Sequence, residues 1–197
     1  MIEKLLWEKF RFKPRDTMPY YGYNQEATRE VLAEAMGEAG FKTGAEVGVY
    51  YGQFSEVLCK KIPGLNLVCV DPWKPFPRRA FDEAGWDRVY DAAKFRLSLY
   101  PDVTLMRMES AEAAKSIPNA SLDFVYIDAQ HDFDHVMTDI ILWTPKVRPR
   151  GIVAGHDFLN FYLGGVMDAV YAYTRAHNIL SWYLTSGEAK PSWFWIK

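Results

Sequence analysis

Residues Gly44 to Glu56 read GAEVGVYYGQFSE, and they place two glycines four residues apart where an apolar run changes to a helical pattern. The run around residues 45–49 predicts a short strand, and the apolar residues after Gly52 recur at helical spacing as far as Pro63. A strand that turns through glycine into a helix is typical of the first crossover unit in a parallel α/β sheet. This stretch therefore decides which fold we expect for the rest of the chain.

The same alternation of strands and helices continues along the chain. Four more strands are predicted in residues 66–71, 103–109, 122–128 and 151–158. Helices are predicted in residues 27–39, 110–117, 133–143 and 164–177, and residues 72–100 are predicted to open with a proline-punctuated loop and then become helical. Pro149-Arg150-Gly151 is expected to break the helix of residues 133–143 before the fifth strand. The last two strands, ILSWYL and SWFWIK, are joined by a loop too short for a parallel crossover. We predict an α/β, doubly wound Rossmann-like fold with a mostly parallel seven-stranded sheet and a C-terminal antiparallel hairpin.

Composition favours one domain over residues 1–197, with residues 1–26 as an N-terminal extension or lid and residues 27–197 as a catalytic core. The net charge of −2 gives no field for phosphate backbones, so we expect no nucleic acid partner. The charge-interrupted start and the lack of long apolar runs predict a cytoplasmic protein with no membrane partner. Cys59 and Cys69 are expected to be buried free thiols.

Asp71 ends the strand that follows the glycine turn, about 20 residues further on, where a carboxylate accepts both hydroxyls of a ribose. The middle glycine of a dinucleotide fingerprint is replaced by Tyr50, which would crowd a pyrophosphate. S-adenosylmethionine has a ribose and no phosphate, so it is the expected cofactor. Glu46 would attract its ammonium group, and backbone N–H groups of the turn would bind its carboxylate.

The segments EVGVYYGQFSE, VCVDPW, MESAEAA and LDFVYIDAQHDFDHVMTDIILWTPKVRPRGIVAGHDF together carry a family resemblance. The chain resembles a class I S-adenosylmethionine-dependent methyltransferase, of the small family whose fourth strand ends in Asp-x-x-His. It is similar to sugar and macrolide O-methyltransferases and, more distantly, to catechol O-methyltransferase. The resemblance covers residues 28–197, and it implies methyl transfer to a hydroxyl of a small molecule such as a sugar or natural product.

The resemblance also implies a set of cofactor contacts: Glu46, Gly48, Tyr50, Gly52, Asp71, Trp73, Glu109, Ser110 and Asp128. In this set Glu46 and the two glycines line the methionine part, Asp71 binds the ribose, and Glu109 with Ser110 lies at the adenine edge. Trp73 would pack on the adenine or ribose, or else form a hydrophobic plug beneath a proline loop. Glu109 would otherwise only complement the dipole of a short helix.

The fourth and fifth strands end in DAQHDFDH and GHDF, so Asp128, His131, His156 and Asp157 are expected to converge. A hydroxyl acceptor must lose its proton to attack the methyl group, and His131 with Asp128 is the expected catalytic pair, with His131 as base. The alternative for His131 is capping the following helix. By resemblance, Asp128, His156 and Asp157 would hold Mg²⁺, although a histidine ligand suits Mn²⁺ or Fe²⁺ better. Otherwise His156 and Asp157 bind the acceptor or hydrogen-bond the sheet edge.

Two functional alternatives stay open at this point. One is a protein that binds S-adenosylmethionine without transferring methyl, and the other is a metal-dependent, hydroxylase-like enzyme on the same fold. The aromatic segment MPYYGYN (18–24) and the basic segment PWKPFPRR (72–79) are candidate lids over the small-molecule acceptor. The tyrosines would otherwise serve packing or a contact between copies in a homo-oligomer.

Overall fold

The computed structural model describes residues 1–13, 17–23, 26–76, 82–160 and 164–197. Within these residues eight strands form one sheet, one more than predicted. Their bounds are β1 (Tyr20–Tyr21), β2 (Thr43–Val47), β3 (Asn66–Val70), β4 (Val103–Met106), β5 (Leu122–Ile127), β6 (Val147–Gly155), β7 (Trp182–Leu184) and β8 (Trp193–Ile196). The predicted first strand is thus β2, and the predicted fourth and fifth are β5 and β6.

The strand order is β1-β7-β8-β6-β5-β2-β3-β4, and every neighbouring pair is parallel except the two that involve β8. The last strand inserts between β6 and β7 and runs antiparallel to both. The predicted Rossmann-like sheet with a C-terminal antiparallel hairpin is confirmed. The order reverses between β2 and β5, which makes the crevice above these strands the expected ligand site.

Helices cover both faces of the sheet because successive strand residues point to opposite sides. In β5, Phe124 and Tyr126 join one core cluster, whereas Val125 and Ile127 join the other. The first cluster is covered by α1 (Ile2–Phe10), α2 (Arg29–Glu38), α3 (Gln53–Lys61) and α4 (Glu83–Leu97). The second is covered by α5 (Ser110–Ser116), α6 (Phe133–Trp143) and α7 (Val166–Ala176). No helix among the described residues has the length and apolar character needed to cross a bilayer.

The N-terminal segment was expected to be an extension or lid, and the apolar face of its helix α1 packs into the core. Ile2, Leu6 and Phe10 recur every fourth residue on α1, are buried, and belong to the first core cluster. Tyr20 pairs with Tyr183 of β7, and the two rings stack 5.5 Å apart. The packing alternative therefore fits Tyr20, whereas Tyr21 and Tyr23 are exposed. Residues 14–16 and 24–25 lie outside the described residues.

The helix that Pro149-Arg150-Gly151 was expected to break ends earlier, at Trp143. Pro149, Arg150 and Gly151 lie within β6, where the pairing with β5 shifts register between Leu122 and Phe124. Arg150 has a φ of 64°, which is typical of a bulge residue. A proline that cannot donate to the ladder is tolerated at such an irregularity. Both cysteines are free as predicted, with Cys69 buried and Cys59 only partly buried.

Candidate cofactor-binding and active site

A cavity of about 580 Å³ opens above the carboxyl ends of the central strands. Strands β3, β2, β5 and β6 end level with one another, because Val47 pairs with both Val70 and Ile127, and Ile127 pairs with Gly155. Most predicted site residues line this cavity: Glu46, Gly48, Tyr50, Asp71, Glu109, Ser110, Asp128, His131, His156 and Asp157. Gly52 and Trp73 are not among its described lining residues.

Position 48 requires glycine because the chain leaves β2 there close to the end of β5, whether or not a ligand is bound. Its φ is 91°, and a Cβ there would lie 2.2 Å from the carbonyl oxygen of Asp128. Gly52, with φ 73°, is the N-cap of α3, and a Cβ there would lie 3.2 Å from Leu97. The expectation that Gly52 lines the methionine part is therefore not supported, because its place in the turn faces α4 instead.

Asp71 holds the glycine turn in place from the neighbouring strand. Its Oδ2 accepts hydrogen bonds from the backbone N–H groups of Val49 and Tyr50, both at 3.0 Å, and its Oδ1 accepts one from Trp73 at 2.8 Å. Burial raises the pKa of Asp71 above its usual value, although these three hydrogen bonds oppose the shift. Because the turn donates two N–H groups to Asp71, they do not bind a cofactor carboxylate as expected.

Trp73 is a buried hydrophobic plug, as the alternative interpretation of the sequence had it, and not a cofactor contact. Its side chain is fully buried, and its Nε1 donates to the carbonyl oxygen of Tyr50 at 2.9 Å. The ring meets Tyr90 of α4 edge to face, with centroids 4.9 Å apart. Trp73 therefore supports the turn from beneath, and it leaves the cavity wall to Tyr50 and Asp71.

Glu46, the penultimate residue of β2, is only 2% exposed and still lines the cavity. It accepts a hydrogen bond from the hydroxyl of Ser55 on α3. Burial raises its pKa to about 8, and the hydrogen bond from Ser55 only partly opposes the shift. The group is therefore mostly neutral at pH 7 in the unliganded protein, and a bound cation would favour its ionised form.

The far side of the cavity holds a polar chain that the sequence analysis only partly identified. Trp143 Nε1 donates to Ser110 Oγ at 2.8 Å, so the hydroxyl of Ser110 donates in turn to Asp139 Oδ1. Asp139 is 5% exposed and lines the cavity, and burial raises its pKa to about 6. Glu109 makes no side-chain capping bond to α5, and its Oε1 lies 2.5 Å from Lys74 Nζ.

His131 lies between two carboxylates at the ends of β5 and β6. Its Nε2 is 3.4 Å from Asp128 Oδ1 and 3.2 Å from Asp157 Oδ2. A nitrogen that faces two carboxylate oxygens is a donor, so the proton of the neutral ring resides on Nε2 and the lone pair on Nδ1. His131 does not cap the following helix, because the N-cap of α6 is Asp132.

Asp157 is the most enclosed member of this group. Its φ is 55°, and its side chain is 4% exposed. Burial alone would raise the pKa of its carboxyl, but the neighbouring His156 and Lys190 and the charge of His131 hold that pKa well below its usual value. His156 Nδ1 lies 3.3 Å from Asp157 Oδ1 and 3.6 Å from Asp128 Oδ2. The predicted convergence of these four residues is thus observed.

Two cations that the sequence analysis missed complete the group. Lys190, in the loop between β7 and β8, places its Nζ 3.1 Å from Asp157 Oδ1. Arg29, the first residue of α2, lies 3.7 Å from Asp128 Oδ2 and 4.7 Å above the ring of Phe54. Both line the cavity. Neither follows a strand of the parallel core, so no strand-end pattern marks them.

The expected metal set differs from the one that the geometry brings together. Ligand atoms of Asp128, His131 and Asp157 lie within 4.8 Å of one another, so His131 takes the place expected for His156. A nitrogen ligand disfavours Mg²⁺, and the two carboxylates already face the cations of Lys190 and Arg29. These residues do not fit a resident Mg²⁺ ion.

Residues 45–158 match a protein family described as a methyltransferase domain, which is more than half of the chain. This chain belongs to that methyltransferase family. The matched part of the methyltransferase domain runs from β2 to just beyond β6, and it includes both the glycine turn and the group around His131. The resemblance seen in the sequence is therefore confirmed.

This methyltransferase domain is similar to several proteins at low sequence identity. An uncharacterized protein of Sinorhizobium fredii, y4gI, is 27% identical over 119 residues, which are 57% of this chain and 12% of that protein. The structure of an O-methyltransferase from Bacillus cereus in complex with S-adenosylhomocysteine is 13% identical, with a TM-score of 0.63, over 100% of this chain and 90% of that one. TomG, an O-methyltransferase from Streptomyces achromogenes involved in tomaymycin synthesis and solved with S-adenosylmethionine, is 12% identical, with a TM-score of 0.63, over 100% and 89%. At these identities the two structures establish the fold alone.

Proposed function

We propose that this methyltransferase domain binds S-adenosylmethionine and transfers its methyl group to a hydroxyl of a small molecule, such as a sugar or natural product. One observation carries the proposal: a single cavity is lined by Asp71 and Glu46 and also by His131. Strand order places Asp71, Glu46 and Asp128 successively along the sheet, so a cofactor over the first two directs its reactive end toward the third. The volume of about 580 Å³ suits a ligand of this size with part of an acceptor.

The cofactor would be held along the sheet by its charged and polar ends. Asp71 accepts from the ribose hydroxyls, Ser110 and Asp139 lie toward the adenine, and Glu46 pairs with the ammonium group. The carboxylate of the methionine part needs a cation, since the turn N–H groups that donate to Asp71 are not available to it. Arg29 is the cavity-lining cation beside Glu46 and the proposed partner of that carboxylate.

Transfer would proceed by in-line displacement at the methyl carbon. The acceptor oxygen forms the new C–O bond, the C–S bond breaks, and its electron pair stays on sulfur as the neutral thioether. The hydroxyl proton passes to His131 Nδ1, because Asp128 and Asp157 hold the proton of the neutral ring on Nε2. The same two carboxylates orient the imidazole and stabilise the imidazolium that forms.

Cofactor binding is the first test. Titration calorimetry should detect binding of both S-adenosylmethionine and S-adenosylhomocysteine, and Asp71→Ala should weaken both more than tenfold. Asp102→Ala is the matched control, because Asp102 precedes β4, is exposed, and does not line the cavity. If neither ligand produces heat or raises the melting temperature of the wild type, the proposal is wrong.

Turnover is the second test, and it separates the enzyme from a protein that only binds the cofactor. Cofactor with a labelled methyl group is incubated with pools of sugars and phenols, and transfer of label to an acceptor is measured. His131→Ala should keep cofactor affinity within about twofold and lose transfer by about 100-fold or more. Equal transfer by His131→Ala and wild type would refute its role as base.

A further inference from the structure

We infer that the ammonium group of Lys190 takes the place of a divalent cation at the Asp128–His131–Asp157 group, so that this site works without a bound metal. The catalytic meaning of the inference rests on the proposed function, whereas metal binding is measured independently of it. Lys190 belongs to the loop between β7 and β8, and its Nζ lies 3.1 Å and 3.3 Å from the two oxygens of Asp157. The same residue lines the cavity.

Asp157 contacts both the ammonium group of Lys190 and the imidazole of His131. Lys190 Nζ approaches from one side of the carboxylate and His131 Nε2 lies 3.2 Å from Oδ2. The ammonium and the proposed base therefore flank one carboxylate on the cavity wall. Both side chains also line the cavity in which the acceptor would bind.

Charge balance argues against an added divalent ion. Asp128 and Asp157 supply two negative charges, and Arg29 and Lys190 supply two positive charges within 3.7 Å of them. A divalent ion here would have to displace these cations or be repelled by them. Its remaining ligand, His131, already directs Nε2 at the two carboxylates. The ion would therefore break the contacts that orient the proposed base.

An ammonium group can stabilise negative charge on the acceptor oxygen, as a metal ion would. As the acceptor hydroxyl gives its proton to His131, negative charge develops on the acceptor oxygen, and a nearby cation stabilises it. Lys190 has three donors, so it can keep its contact with Asp157 and also donate to the acceptor oxygen. No oxidant, reductant or second ion is needed for this step.

Binding of Mn²⁺ alone, followed by the loss of its free-ion electron paramagnetic resonance signal, tests the inference. The wild type should bind Mn²⁺ no better than about 1 mM, and Lys190→Met should gain at least about tenfold in affinity. That gain is the effect of removing one unit charge about 5 Å from a divalent ion, even at the dielectric constant of water. Lys190→Arg, which keeps the charge, should behave as the wild type.

Lys74→Met is the matched control. Lys74 also lines the cavity, also pairs with a carboxylate, and has a side chain that is 60% exposed, as that of Lys190 is. This substitution should leave Mn²⁺ binding unchanged. Adding Asp157→Asn to Lys190→Met should abolish the gained affinity, which assigns the new ion to this group.

Two results would overturn the inference: tight stoichiometric Mn²⁺ binding by the wild type, or no gain in Lys190→Met. Lys190→Gln provides the same comparison should the methionine variant fold poorly, and thermal melts of each variant verify folding. Calorimetry with S-adenosylmethionine on the same samples separates the two proposals. Cofactor binding with tight Mn²⁺ binding refutes only the role of Lys190, whereas loss of cofactor binding in every sample, wild type included, refutes the proposed function.

Discussion

Glu46 is expected to make the affinity for S-adenosylmethionine depend on pH between 6 and 7. The carboxyl is 2% exposed, and burial raises its pKa to about 8. It must ionise in order to pair with the ammonium group of the cofactor, which is itself mostly charged between pH 6 and pH 7. Binding therefore includes the release of a proton from a buried group.

The size of the effect follows from the pKa of Glu46. A group with a pKa of about 8 is about 1% ionised at pH 6 and about 9% ionised at pH 7. Provided that the bound carboxyl has a pKa below this interval, the association constant rises about ninefold from pH 6 to pH 7. Glu46 itself releases about 0.9 proton for each cofactor bound at pH 7.

Titration calorimetry measures the association constant at each pH. Repeating it in buffers of different ionisation enthalpy gives the number of protons released. Glu46→Gln removes the titrating group and keeps the shape, so its affinity should be the same at pH 6 and pH 7. Asp139→Asn is the control, because Asp139 is another carboxyl of the cavity whose pKa is raised by burial, and this variant should keep most of the wild-type dependence of affinity on pH. The reasoning would be refuted if the affinity of the wild type did not change between pH 6 and pH 7. It would also be refuted if the affinity of Glu46→Gln changed as much as that of the wild type.

Two further predictions concern stability. Asp157→Asn should lower the free energy of unfolding at pH 7 by about 1 to 3 kcal/mol. The folded-state pKa of Asp157 is lowered from its usual 3.8, so the carboxylate stabilises the protein above that value and ceases to do so as the pH falls through the folded pKa. Urea midpoints should therefore converge on acidification, and a gap that stays constant from pH 7 to pH 3 would contradict the assignment. Gly48→Ala should cost more than about 4 kcal/mol, because a Cβ would lie 2.2 Å from the carbonyl oxygen of Asp128. Gly40→Ala, at φ 81° with no atom within 4 Å, should cost only about 1 to 2 kcal/mol, and equal urea midpoints for the two variants would show that the clash is relieved.

The strands and helices of the central fold were predictable because their periodicity is local. The seven predicted strands and the helices between them are all present. Helix α1 and strand β1 were not predicted, since charges interrupt the apolar residues of MIEKLLWEKF and a two-residue strand is too short to show alternation. The pairing of β1 with β7 is a contact between distant parts of the chain, which no local pattern contains.

The difference between local patterns and long-range contacts also explains which site residues could be predicted from the sequence. Glu46, Asp71, Asp128 and Asp157 follow or end parallel strands, and a parallel sheet brings such positions to one edge. Asp139 lies in the middle of α6, where an acid ordinarily indicates a solvated helix face. It reaches the cavity only because α6 packs beside Ser110 at the start of α5.

The C-terminal hairpin does more than complete the sheet, because its loop positions both cations of the site. Glu188 in that loop accepts the backbone N–H of Arg29 at 3.1 Å, which places the start of α2 above Asp128. Ser192 donates to Glu188 at 3.1 Å and therefore accepts from the hydroxyl of Tyr126 on β5, so the loop is anchored to a central strand. Lys190 lies between these two anchors. A change in this loop should therefore alter the charge around the proposed base without touching the residues that hold the ribose.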